Sequence, residues 1–186
     1  MHTVSYQSRT TQYVRFDMLI KNTAPDKTTP LTLLDLGCGL GDLYDYLQKN
    51  GYTHIAYTGY DIVPEMIAAA QANYPSAEFR VRNFVTEELP RYDIICASGS
   101  LNIIFEQRDR QPEYIQTVIK KMYNRSRRVC AFNLLNKDTE WMYEQDPRFY
   151  YADQQEIYQY CRALCPEARL IGDYLVNDFT IVMPHG

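Results

Sequence analysis

Ten residues, LLDLGCGLGD at positions 33–42, set the tightest limit on what this chain can fold into. An apolar run carrying one acid, Asp35, leads directly into Gly37, Gly39 and Gly41. A short apolar run bounded by glycine reads as a buried strand. From Asp42 the pattern changes to a helix with Leu43, Tyr46 and Leu47 on one face. Glycines between a strand and a helix permit unusual dihedrals and let a ligand approach the backbone without meeting a Cβ. The helix start behind them offers unpaired N–H groups. The loop therefore reads as a cradle for a ligand.

The rest of the chain repeats that alternation. A helical segment over about 7–20 precedes a threonine- and proline-containing linker at 21–30, KNTAPDKTTP. After the first strand and helix come HIAYTGYDI as strand two and a helix opened by Pro64, where proline suits the first turn. AEFRVRNF and YDIICAS read as strands three and four, PEYIQTVIKKMYN as a helix, and RRVCAFNLL as strand five. A long polar and aromatic loop runs to about Tyr151, and the last helix begins after Asp153, a natural N-cap. The end, ARLIGDYLVNDFTIVMP, reads as strand, Asn177-Asp178 turn and strand. Alternating β and α elements imply a parallel sheet covered on both faces. The expected fold is a doubly wound, mostly parallel seven-stranded α/β sheet with a C-terminal antiparallel hairpin. The 186 residues suit one domain, with 1–30 as an N-terminal helical arm and 31–186 as the core.

Composition narrows the function. At 46% hydrophobic and 23% charged the chain is globular, and a net charge of -4 argues against nonspecific nucleic-acid binding. Its N-terminus reads as no signal peptide and no apolar run reaches the length of a membrane span, so a cytoplasmic protein is expected. Five cysteines include no C-x-x-C pair; Cys161 and Cys165 share one helix face, and no metal site is expected. The only basic cluster, KKMYNRSRRV, is expected to lie on the sheet edge away from the ligand, as a solvated helix terminus.

Which ligand the loop holds follows from its charges. A dinucleotide fingerprint would need a third glycine at the sixth position, which is Asp42 here. Acids beside the loop are poor company for a pyrophosphate and suit an ammonium or a sulfonium. Asp61, twenty positions after Gly41, ends strand two where a carboxylate can accept from ribose hydroxyls.

Three stretches, LLDLGCGLGDLYDYL, YTGYDIVPEMIAAAQANYP and YDIICASGSLN, resemble the successive motifs of class I S-adenosylmethionine-dependent methyltransferases. YQSRTTQYVRFDMLI is similar to the N-terminal segment of a bacterial group of small members, and the resemblance runs from about residue 5 to 183. It implies S-adenosyl-L-methionine as cofactor. Asp35, Gly37, Cys38, Gly39 and Gly41 would then line its methionine and sulfonium part, Asp61 would hold the ribose, and Ile62 would pack on the adenine. Asn83, with Phe84 beside it, stands where many members have an acid that accepts from the adenine amino group. Ser98 and Gly99 would close strand four under the cofactor, and either Arg15, or Tyr6 and Gln12, would clasp the methionine end.

The acceptor side is expected in loops at the carboxyl ends of the strands, with Tyr13, Asn102, Trp141 and Tyr150 as candidates. Trp141 is the only tryptophan. No histidine is placed as a general base: His2 and His185 are near the termini, and His54 opens strand two at the far end of the sheet. Methyl transfer needs positioning more than acid–base chemistry, so a small-molecule acceptor such as an amine, thiol, carboxylate or acidic hydroxyl is favoured. Two readings stand beside it: intramolecular displacement on the cofactor's aminobutyrate chain with release of methylthioadenosine, and a nonenzymatic cofactor-binding partner subunit. An NAD-dependent oxidoreductase is disfavoured by Asp42 and the terminal hairpin.

Overall fold

The structure, a computed structural model, describes residues 9–24, 26–104, 107–138 and 145–186. Helix α1 (Arg9–Thr23) precedes β1 (Leu31–Leu36), α2 (Asp42–Lys49), β2 (Ile55–Asp61), α3 (Pro64–Asn73), β3 (Glu78–Val81) and β4 (Tyr92–Ser98). Then follow α4 (Gln111–Arg125), β5 (Ser126–Leu135), α5 (Gln154–Leu164), β6 (Arg169–Ile171) and β7 (Asp178–Pro184). The seven strands form one sheet in the order β3-β2-β1-β4-β5-β7-β6. Only β7 runs against the others, between β5 and β6. The strand order reverses between β1 and β4, which are paired in parallel. A crevice opens at such a reversal, at the carboxyl ends of the strands.

Strand alternation sorts the core into two layers. Leu34, Leu36, Ile95, Ala97, Cys130 and Phe132 face α4 and α5, while Leu33, Ile94, Cys96 and Ala131 face α1, α2 and α3. Helix α2 buries Leu43, Tyr46 and Leu47, the apolar face legible in its sequence. Asp153 caps α5, its Oδ1 accepting from the Gln155 and Glu156 N–H groups at 2.8 and 2.9 Å. No helix among the described residues is long and apolar enough to cross a membrane.

Several expectations shift. The first helix runs three residues further than 7–20, because Leu19, Ile20 and Ala24 are buried against the sheet. The terminal hairpin does not turn at Asn177-Asp178. Asp178 is already the first residue of β7, and the connection is 172–177, with Asp173 at a φ of 61°. A buried partner for the Asp178 carboxylate holds it in the sheet.

Candidate active site: an acid-lined glycine loop and a cleft on the α4 side

The loop after β1 and the end of β4 meet at the strand-order reversal. Gly37 and Cys38 donate to the Tyr60 carbonyl at 2.7 and 3.0 Å, stitching the loop to the end of β2. The Gly39 N–H donates to Asp61 Oδ2 at 2.9 Å, and Asp61 Oδ1 accepts from the Val63 N–H at 3.0 Å. The Ser100 hydroxyl donates to the Leu36 carbonyl at 2.7 Å from the other side. Asp35, Gly37, Cys38, Gly39, Gly41, Asp61, Ser98 and Gly99 are thus gathered at the carboxyl ends of three adjacent strands.

The glycines have different reasons to be glycine. Gly37 has a φ of 75°, and a Cβ there would overlap the Ser100 side chain. At Gly41 a Cβ would sit 2.8 Å from Phe79 Cζ. These two make room for the protein's own packing, which corrects the reading of the whole loop as ligand space. Gly39 alone, at a φ of 54°, has nothing within 4 Å of a would-be Cβ. Gly37→Ala should therefore lower thermal stability through both its positive φ and the overlap with Ser100, whereas Gly39→Ala should lose only the roughly 1–2 kcal/mol of a left-handed residue and put a methyl group into the space in front of the loop. Comparing unfolding midpoints with ligand affinity in the two variants checks this; equal losses of both in each variant would refute it.

Asp35 is 2% exposed and accepts one hydrogen bond, from Tyr57 Oη at 2.8 Å. Burial pushes its pKa up to about 7; the Tyr57 bond opposes the shift, and Asp61 and Asp42 add to it as like charges. No described lysine or arginine pairs with it. A buried carboxylate without a cation is costly to ionise, so the loop is chemically matched to a cationic ligand.

A cleft of about 540 Å³ lies on the α4 side, lined by Ile62, Asn83, Phe84, Val85 and the start of α4. Ile62 is 43% exposed there. Asn83 requires a correction. Its Oδ1 accepts from the Val85 and Thr86 N–H groups at 3.1 and 3.3 Å, so the oxygen proposed for an adenine amine closes a turn instead. Lys121 holds the same turn, donating to the carbonyls of Phe84, Val85 and Glu87 at 3.0, 2.7 and 2.8 Å. The basic cluster is therefore not simply solvated. Lys121 braces a wall of the cleft, while Arg125 pairs with Glu88 and Arg127 with Asp93.

On the α1 side, Arg15 is buried and donates through Nε and Nη2 to Asp178 Oδ1 and Oδ2 at 2.7 and 2.9 Å. That bidentate pair fixes α1 to β7 and turns two of its nitrogens away from the methionine-clasping role expected of it. Gln12 donates to Asp42 Oδ2 at 3.2 Å, beside the glycine loop. Tyr13 donates to Asp45 Oδ2 at 2.9 Å, and its ring packs on Tyr46, in the seam between α1 and α2. Asn102 is buried with Oδ1 accepting from the Leu135 N–H at 3.0 Å, so this acceptor candidate joins β4 to β5. Its carbonyl accepts from the Tyr150 N–H at 2.8 Å, and Tyr150 packs against the core beside α4 and α5. Tyr6 and Trp141 lie outside the described residues.

Sequence reading passed over three residues of this region. Asn133 is fully buried at the end of β5, and its Oδ1 accepts from the Gly99 N–H at 2.9 Å. A lone amide in the apolar run VCAFNLL was its signal. Lys121 was hidden among exposed basic neighbours. Gln111, the first residue of α4, carried no signal at all.

Comparison with known proteins agrees with this architecture. Residues 34–127 match the model of a family described as a methyltransferase domain. The protein named "Putative methyltransferase Rv1506c" of Mycobacterium tuberculosis is 31% identical over 159 residues, which is 83% of this chain and 93% of the relative. This chain belongs to that methyltransferase family. Among solved structures it resembles magnesium protoporphyrin IX methyltransferase from Synechocystis PCC 6803 with bound S-adenosylhomocysteine, with a TM-score of 0.72 at 15% identity, over 100% of this chain and 90% of the other. It also resembles the plantazolicin methyltransferase BpumL, with a TM-score of 0.73 at 14% identity, over 97% and 87% of the two chains. At such identities the likeness is one of fold.

Proposed function

We propose that this protein binds S-adenosyl-L-methionine and transfers its methyl group to a small-molecule acceptor. The observation that carries the reading is Asp35, a buried carboxylate that no described cation pairs with, at the end of the strand that leads into the loop with the open Gly39. When bound, the cofactor supplies a methyl group made electrophilic by its sulfonium. The residues present fit it. Asp35 complements the positive charge, and Asp61, already oriented by two backbone N–H groups, retains lone pairs for ribose hydroxyls. Ile62 offers an apolar face to the adenine, and the Phe84 N–H carries no bond to the described residues and can donate to a ring nitrogen.

The chain's part in the reaction is to orient the reacting atoms and keep water away. Both described histidines sit at the other end of the sheet: His54 precedes β2, and His185 bonds Ser126 and the Tyr123 carbonyl. An acceptor that arrives with its lone pair available, such as an amine, thiolate, carboxylate or acidic hydroxyl, suits this surrounding. The two solved relatives are named for magnesium protoporphyrin IX and for plantazolicin, acceptors carried on one common sheet. Selectivity therefore belongs to the loops above β4 and β5.

Calorimetry with S-adenosylhomocysteine tests the reading. Wild-type protein should bind, and Asp61→Ala should lose about 1.5–3 kcal/mol, the range for hydrogen bonds to a charged group. Absence of binding, or an unchanged affinity in Asp61→Ala, would remove the cofactor assignment. Methylthioadenosine formed from S-adenosylmethionine alone would replace methyl transfer with intramolecular displacement.

A further inference from the structure

We propose that Gln111 recognises the exocyclic amino group of the cofactor's adenine, taking the place that Asn83 cannot fill. The inference rests on the S-adenosylmethionine reading above and names how this chain selects the purine.

Gln111 opens α4 and is 3% exposed, yet it lines the 540 Å³ cleft with Ile62, Asn83 and Phe84. Its orientation is set by its surroundings. Both donors of Nε2 are engaged, by the Leu101 carbonyl at 2.9 Å and the Ile103 carbonyl at 3.0 Å. A flipped amide would set Oε1 against two carbonyl oxygens, so the assignment of nitrogen and oxygen is forced. Oε1 then remains an acceptor that receives no hydrogen bond from the described residues. Oε1 is not among the solvent-shielded atoms, so it is the part of this otherwise buried side chain that reaches the cleft, held in one orientation, and a ligand N–H there would meet it.

The competing acceptors are weaker. Asn83 Oδ1 is held by two backbone N–H groups. Thr86, Gln107, Glu113 and Thr117 also line the cleft, but all four are exposed, and a donor meeting them trades one water-like contact for another. Arg110 has no acceptor to offer. Tyr114 lines the cleft as well, but its hydroxyl oxygen is shielded from solvent. An adenine with its face on Ile62 presents one amino group, and among the described lining residues Gln111 is the buried side chain whose oxygen reaches the cleft. Because Leu101 and Ile103 flank the turn that follows β4, the bond also ties purine recognition to the segment beside the acceptor loops.

The test compares ligands as well as variants. Affinities for S-adenosylhomocysteine, its analogue with hydrogen replacing the 6-amino group, and its 6-oxo (inosine) analogue are measured by calorimetry. Wild-type protein should prefer the amino form over the 6-hydro form by roughly tenfold, the scale of one hydrogen bond with its buried partner left unmade. The 6-oxo form should be weaker still, because its oxygen faces Oε1. In Gln111→Met the amino and 6-hydro forms should bind alike and the added penalty of the oxygen should vanish. A general structural loss would instead weaken all three ligands in proportion. Wild-type protein that binds the amino and 6-hydro forms equally, or a folded Gln111→Met that keeps the preference, overturns the proposal. Should Gln111→Met fail to fold, Thr86→Val, Gln107→Met, Glu113→Leu and Thr117→Val decide it: the preference survives in all four, or the proposal falls. If wild-type protein does not bind S-adenosylhomocysteine at all, the cofactor reading fails first and this inference with it.

Discussion

Asp178→Ala should lower the stability of this protein by about 3–5 kcal/mol, the usual cost of removing one partner from a buried ion pair. Arg15 and Asp178 are 163 positions apart and almost completely buried, with side chains 5% and 1% exposed. Their two parallel bonds leave little freedom for either group. Removing the carboxylate takes the bidentate partner from a buried guanidinium that cannot deprotonate. For a chain of this length each kcal/mol moves the midpoint by roughly 2–4 °C, so thermal unfolding should show a fall near 10 °C. A double replacement, Arg15→Met with Asp178→Leu, should recover much of the loss, because it removes both charges and leaves apolar volume. If Asp178→Ala melts like the wild type, α1 is not pinned to β7 in the way the geometry states. The pair also bears on function, since it sets the position of the helix that packs beside the glycine loop.

Cofactor affinity should rise about tenfold between pH 6 and pH 8, governed by Asp35. Its folded pKa, about 7, lies above the ordinary value of 3.8 because burial disfavours the charge. Among the described residues the groups facing it are Tyr57, Asp61, Asp42, Cys38 and Cys96, none of them a cation. A raised carboxyl pKa means that the unliganded folded state holds its proton more tightly than the unfolded state. This contribution to stability is therefore complete below about pH 4 and is lost as the pH climbs towards 7. A cationic ligand reverses the preference, because it favours the carboxylate and expels the proton. The thermal shift produced by S-adenosylmethionine should thus grow with pH, while the unliganded protein loses this one contribution. Asp35→Asn should bind more weakly and without the pH dependence between 6 and 8. A flat affinity profile in the wild type would mean that the carboxyl is ionised throughout and that another group balances it.

Much of this molecule could be read from local pattern. Apolar runs alternating with helical faces determine a doubly wound sheet, because each period buries one face whatever the partner. Gly37 through Gly41 after β1, and Asp61 at the end of β2, mark the crevice because backbone geometry and strand length place them there. Asp153 could be named as a cap because capping is satisfied within three residues. What the sequence could not determine lies in single polar side chains that pair across the fold. Asn83 carried an oxygen suited to an adenine, and only the turn it closes shows that the oxygen is occupied. Arg15 looked like a ligand contact until Asp178 arrived from the far end of the chain. Lys121 and Gln111 are polar residues on a helix, indistinguishable from their exposed neighbours by type or spacing. Their roles come from the Phe84, Val85 and Glu87 carbonyls in one case and the Leu101 and Ile103 carbonyls in the other. Hydrophobic burial is nondirectional and repeats along the chain, so it is legible from periodicity. A hydrogen bond depends on which two groups the folded chain brings within about 3 Å of each other, and the tertiary structure alone decides that.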